Sequence, residues 1–163
     1  MADLLGTYPL TGFHFIVAFE LFPQMVQDFR FQEVSGLSVS VETEPFIEGG
    51  QNRFQHQLPV RTSYSDITLK RGMFELPSGI MAWCINAVQN FEFQPSNLLI
   101  SMLNDLNIPV QSWYVVNAIP KKVEFSNLNA EQSQVAIETL VLSYNYFNIL
   151  NLSSALAATM NAI

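Results

Sequence analysis

Phe31-Gln32-Glu33-Val34-Ser35-Gly36-Leu37, then Phe46-Ile47-Glu48-Gly49-Gly50-Gln51-Asn52, then Ile67-Thr68-Leu69-Lys70-Arg71-Gly72 mark out the stretch that decides the fold. Val34 and Leu37 to Val41 alternate with polar residues, as in a strand with one wet face. Gly36 sits between the two runs, where a bend or bulge is expected. Ser65 to Lys70 reads as a second strand, stopping at Gly72. Between them lies an arm, Thr43 to Ser63, with Pro45, Gly49, Gly50 and Pro59 and little periodicity. Structureless loops longer than about 12–15 residues are uncommon in compact domains and are usually functional or disordered.

Strand signals continue on both sides of this stretch. Phe13, Phe15, Val17 and Phe19 alternate with His14, Ile16, Ala18 and Glu20, giving one strongly aromatic face. Asn97–Leu103, Gln111–Val116, Lys121–Phe125 and a long run Gln134–Phe147 complete the set, the last apolar on both faces. One helix is expected from Pro77 or Ser78, with Ile80, Trp83, Cys84, Ala87, Val88 and Phe91 on one stripe. Leu152–Met160 is Ala-rich and suits a short helix or a packed tail. No repeat or linker divides the chain, so one domain over residues 1–163 is expected, with a C-terminal tail at 149–163.

Composition narrows the function. Only 13% of the 163 residues are charged, where roughly a quarter is usual. A surface poor in charge tends to be covered by something. The net charge of −7 argues against nucleic acid as the principal ligand. Its distribution is uneven. Residues 1–50 hold seven acids and one base, whereas residues 53–72 hold Arg53, Arg61, Lys70 and Arg71 against Asp66. Opposite charge in adjacent segments suits head-to-tail contact between copies.

Chemistry is harder to find. The single cysteine, Cys84, excludes an internal disulfide and lies on the apolar helix stripe, where a thiol is inert. His14 and His56 have no partner set. Glu42, Glu44 and Glu48 are spaced as solubilising residues of an exposed strand edge rather than as a calcium loop. Glu48-Gly49-Gly50-Gln51-Asn52 lacks the Gly-Lys-Ser/Thr of a phosphate loop and reads as a tight turn. No catalytic set, cofactor or metal is expected. The N-terminus has an acid where a signal peptide needs bases, so the protein is expected to be made in the cytoplasm without conventional export. The uncharged residues after Glu138 are interrupted by Asn and Ser, so no direct membrane span is expected.

Taken in order, the segments resemble the tail tube (inner tube) protein family of contractile phage tails and extracellular contractile injection systems. The resemblance rests on 31–37, Glu48-Gly49-Gly50 with Asn52, Leu58-Pro59 and Ile67–Gly72. Trp83, Trp113 with Asn117-Ala118-Ile119-Pro120, Leu128-Asn129-Ala130 and Ile137-Glu138-Thr139-Leu140 extend it over roughly residues 10–148. Ile119 departs from the pattern, since the family often has an aromatic before that proline. The resemblance implies a mainly β fold. Two packed antiparallel sheets form a β-sandwich or small barrel with one flanking helix. It further implies hexameric rings whose inner sheets join around a lumen, stacked into a rigid tube inside a contractile sheath.

The partners so implied are other copies of the chain, the sheath protein, baseplate, spike and tube-initiator proteins, and effector cargo or DNA in the lumen. On that reading Glu48 to Arg53, with Gly49, Gly50 and Asn52, form the ring-stacking contact. Lys70 and Arg71 would meet Glu42, Glu44 or Glu48 of a neighbour, with Gly36, Gly72, Trp83 and Trp113 structural. Ser38, Ser40 and Glu42 would line the lumen or face the sheath. A tube-initiator or hub-adaptor subunit is the alternative within the same class, and a small-ligand-binding β-barrel the alternative from another.

Overall fold

The computed structural model describes residues 14–21, 31–73, 78–132 and 134–150. Nine strands and one helix occupy them: β1 (His14–Phe19), β2 (Glu33–Ser35), β3 (Val39–Phe46), β4 (His56–Tyr64), β5 (Ile67–Gly72), α1 (Gly79–Gln89), β6 (Ser96–Leu103), β7 (Pro109–Phe125), β8 (Ile137–Ser143) and β9 (Tyr146–Leu150). All strand pairs among them are antiparallel. A first sheet runs β1-β6-β7-β9 and a second runs β2-β5-β8-β7.

β7 belongs to both sheets. Its first part, Pro109 to Ala118, pairs with β6, and its second, Ile119 to Phe125, with β8. The expected strands Gln111–Val116 and Lys121–Phe125 are thus one 17-residue strand. The turn from sheet to sheet falls at Asn117, whose φ is 54°. Its N–H is held by Asn97 Oδ1 at 3.0 Å. Asparagine tolerates this left-handed conformation better than most residues. The expected long strand 134–147 is instead two, β8 and β9, broken at Tyr144-Asn145. There Asn145 N–H donates to the Val116 carbonyl at 3.1 Å. β8 is buried on alternate residues, so its apolar outward positions, Ile137 and Val141, are half-buried rather than core.

The core forms between the sheets. Val17, Leu98, Ile100 and Val115 of the first meet Ile67, Leu69, Leu140 and Leu142 of the second. α1 adds Ile80, Trp83 and Cys84 to this cluster. Ser78 caps the helix, its Oγ accepting from Met81 N–H at 3.3 Å. Trp83 packs edge-on against Phe19, and its indole N–H donates to the Gln94 carbonyl at 2.8 Å. Trp113 is half-buried against the same cluster. The helix stripe is narrower than expected. Val88 is exposed at its margin, and Phe91, 82% exposed, lies beyond the Asn90 cap with a φ of 55°. The Ala-rich segment Leu152–Met160 and the tail beyond Leu150 lie outside the described residues; Ile149 and Leu150 belong to β9.

The arm is where sequence and structure part most. Residues 43–63 are not a loop. β3 and β4 pair from Val39↔Tyr64 to Phe46↔His56, leaving only residues 47–55 as a connection. A bulge at Glu42/Thr43 adds Val60 to one strand and shifts its side-chain parity. This shift, with Pro45 and Pro59, erases the alternation that would have disclosed the strands.

Candidate assembly surface

The hairpin grows from one corner of the second sheet. β2 leads to β3 and β4 leads to β5, so the arm prolongs the sheet beyond the sandwich. Gly36 makes the crossing possible. Its φ is +87°, and a Cβ built there would stand 2.0 Å from the Asp66 carbonyl oxygen. No side chain fits. The root is tied by Ser65 Oγ, which donates to the Gly36 carbonyl at 2.8 Å and shares a 2.6 Å hydrogen bond with Ser38 Oγ. Tyr64 at the end of β4 packs edge-on against Tyr144 and Phe147. Burial pushes the Tyr144 hydroxyl up to about 12, with smaller contributions from Tyr64 and Asp66.

Beyond the root the hairpin has no cover among the described residues. Every residue of β3 is exposed, and all of β4 except Ser63 and Tyr64. One side carries Ser40–Ser63 (3.0 Å) and the Glu42–Arg61 ion pair across the strands. The other carries Val39 and Val41, 44% and 56% exposed. At the far end Phe46, Ile47, Phe54 and Leu58 are all exposed. Glu48-Gly49-Gly50 forms the expected turn, with Gln51 N–H donating to the Glu48 carbonyl at 3.2 Å. Glu48 lies 3.6 Å from His56, and Arg53 N–H donates to Gln51 Oε1 at 3.4 Å. Asn52 and Glu44 are exposed beside them.

The residues expected to bond a neighbour divide here. Glu44, Glu48, Asn52 and Arg53 are on the exposed arm. Glu42 is on it too, but its charge is matched by Arg61 of its own chain. Lys70 is half-exposed and binds Glu33 at 3.1 Å.

Arg71 is a correction. It is 2% exposed, paired with Glu138 across β5 and β8, and it donates to Ser78 Oγ at 2.8 Å. Its guanidinium also lies over the Phe31 ring, 5.6 Å from the centroid. A side chain so enclosed cannot reach another copy. The sequence held a signal for this: Arg71 shares parity with Ile67 and Leu69, as Glu138 does with Leu140 and Leu142. Gly72 ends β5 where an added Cβ would crowd Val135 at 3.3 Å.

The exposed apolar residues of the tip were not among the contact residues expected from the sequence. Their signal was Phe46-Ile47 and Phe54 flanking a polar turn. A second exposed apolar surface is a groove of about 610 Å³ beside α1, lined by Met73, Met81, Ile85, Val88, Val123 and Phe125. Cys84 is buried at its floor. Desolvation, then the nearby Glu138 charge, pushes the thiol up to about 12. No group of His, Cys, Asp and Glu suited to a metal occurs among the described residues.

The described residues thus form a sandwich with one flanking helix and a projecting, apolar-tipped hairpin. The family model for the T4-like virus tail tube protein gp19 matches residues 11–148. The chain belongs to this tail tube family. It is therefore a structural tube subunit.

A chain in the cryo-EM structure of the anti-feeding prophage baseplate, six-fold symmetrised, is 28% identical. The match covers 90% of this chain and 98% of that one, with a TM-score of 0.78. A chain in the sheath/tube terminator of an extracellular contractile injection system, in its extended state, is 25% identical over 88% and 97%, with a TM-score of 0.73. Hcp1 from Flavobacterium johnsoniae, 14% identical over 83% and 95% with a TM-score of 0.55, shares the fold. No curated protein sequence matches the chain.

Proposed function

We propose that six copies of this chain close into a ring, that rings stack into a rigid hollow tube, and that the hairpin β3–β4 is the joint between rings. The observation that carries this is the hairpin itself. A two-stranded sheet bare on both faces is marginal in water, and its apolar tip gains nothing by pointing into solvent. Ring-to-ring contacts are heterologous, so the stack stays open to growth. Low charge content fits a subunit with neighbours beside, above and below it.

The partners on this reading are the sheath outside the tube, the baseplate and spike at its end, and effector cargo or DNA within. The similar chains in a baseplate and in a sheath/tube terminator support that company. The role is mechanical, not catalytic. Assembly in the cytoplasm and final residence in a phage tail-like particle complete the reading. The baseplate neighbour also favours, as a second reading, a tube-initiator subunit joining tube to spike.

Negative-stain microscopy of the purified chain tests the proposal. Rings and hollow tubes are expected, many rings per particle for a tube subunit and one for an initiator. A protein that stays monomeric at high concentration would overturn it. Deleting residues 47–55 with a two-residue turn in their place should leave rings and abolish stacking.

A further inference from the structure

The groove beside α1 asks for an apolar cover. Met73, Ile85, Val88 and Phe125 on its walls are exposed. Exposed apolar grooves mark binding or interaction sites. The polar groups at its floor are already satisfied. Glu138 is paired with Arg71, and Ser78 Oγ accepts from Arg71 and from Met81 N–H. The groove therefore offers apolar surface and nothing that would draw in a charged partner.

One segment of the chain matches that demand. Glu138 is the last charged residue, so residues 151–163 carry no charge. Leu152, Leu156, Met160 and Ile163 are spaced four, four and three apart, the repeat of one helix face. Ala155, Ala157 and Ala158 between them favour helix. An amphipathic helix laid into an apolar groove is held by anchors at this spacing. The family match ends at residue 148, so the segment lies beyond the tail tube pattern. The hairpin tip suits the groove less well, because it carries exposed Glu44, Glu48 and Arg53 among its apolar residues.

Reach decides which groove the segment can fill. β9 runs from Tyr146 beside Val116 to Leu150 beside Ser112, so the chain leaves near one end of β7. Val123 and Phe125, on the groove wall, are at the other end. Ser112 and Val123 stand eleven residues apart on one strand, roughly 36 Å if straight. The bend at Asn117 shortens that span but does not fold a continuous strand back on itself. A helix over residues 152–163 is about 18 Å long, and Asn151 alone ties it to Leu150 across about 7 Å of chain. It cannot lie in the groove of its own chain.

We propose that residues 152–163 of one copy dock as a helix in the α1 groove of a neighbouring copy, as a strap between subunits. The inference rests on the assembly reading above, because only packed copies bring the end of one chain's β9 to another's α1. Each copy then gives one strap and receives one. That is a heterologous contact, which repeats from copy to copy.

Crosslinking between two variants tests the strap. Cys84 is buried and its thiol resists ionisation, so the native thiol contributes little background. Val88→Cys puts a thiol on the groove wall, and Leu156→Cys puts one on the strap. Tubes are assembled from an equal mixture of the two, the first carrying a tag that changes its mass. Mild oxidation should give a disulfide-linked heterodimer from the mixture and no dimer from either variant alone. Mixed tubes without the heterodimer, or an internal disulfide in the doubly substituted chain, would overturn the inference. A chain ending at Leu150 and the variant Leu156→Asp should each raise the free subunit concentration in equilibrium with tubes by about tenfold or more. Val88→Asp should do the same in the full chain and add nothing in the shortened one. A shortened chain whose tubes are as stable as native ones sinks the strap and leaves the assembly reading standing. A native chain that forms no tubes at any concentration fails both readings together.

Discussion

β4 and β5 are separated by two residues and behave oppositely. β5 buries every second side chain and is paired on both edges, by β2 and β8. β4 is exposed along most of its length and paired on one edge only. Both carry an arginine opposite a glutamate on the neighbouring strand. Arg71–Glu138 is sealed inside the fold, and Arg61–Glu42 stands in water. The same chemical pair therefore has two meanings. In the interior, neither partner can be removed without stranding the other, because an unmatched buried charge has no water to turn to. On the arm, solvent replaces either partner at once. β5 is held by its own chain; β4 is a strand that the described residues leave uncovered.

Breaking the buried pair should have the largest effect on stability. Glu138→Ala is expected to destabilise by about 3–5 kcal/mol in urea unfolding. Glu138→Gln, which keeps an acceptor for Arg71, should lose less. Retention of the native urea midpoint by Glu138→Ala would show that Arg71 does not depend on it. Gly36→Ala comes next, with about 1–3 kcal/mol for the left-handed conformation alone and a further clash at the Asp66 carbonyl. Its far-ultraviolet spectrum should keep the sandwich strands, so that the loss is traced to the hairpin root.

A pH titration sharpens the contrast between interior and arm. Cys84 has its ordinary value near 9 raised to about 12. A raised acid binds its proton more tightly folded than unfolded, so its contribution is complete below pH 9 and fades as pH rises toward 12. Cys84→Ala should therefore show a shallower alkaline loss of stability than the native chain, whatever its starting level. At the small end, Arg61→Ala should leave the urea midpoint unmoved. Phe46→Ser with Phe54→Ser should likewise change stability by no more than about 0.5 kcal/mol. Yet that double variant should abolish stacked tubes in electron micrographs. Tubes of native length would remove the tip from the joint.

The strands facing the core were legible because their alternation is local. Ile67/Leu69 and Leu98/Ile100 reveal themselves without knowledge of any partner. The cap at Ser78 was legible for the same reason. The hairpin was hidden because its regularity exists only as a pairing between residues up to 25 apart, interrupted by a bulge. Its place on the molecule was legible all the same, through Gly36, the Gly49-Gly50 turn and the absence of a core period. The Arg71–Glu138 pair lay in plain alternation, but the assumption that charge means surface concealed it.

β7 carries a consequence for a body that must be pushed. Each sheet of a sandwich is tied to the other mainly by packed side chains, which can slide. Here a single backbone runs unbroken from one sheet into the other, turning at Asn117. A thrust entering either sheet is passed on along covalent bonds, like load through a beam common to two walls. Shear between the walls would have to bend that beam before it could part them.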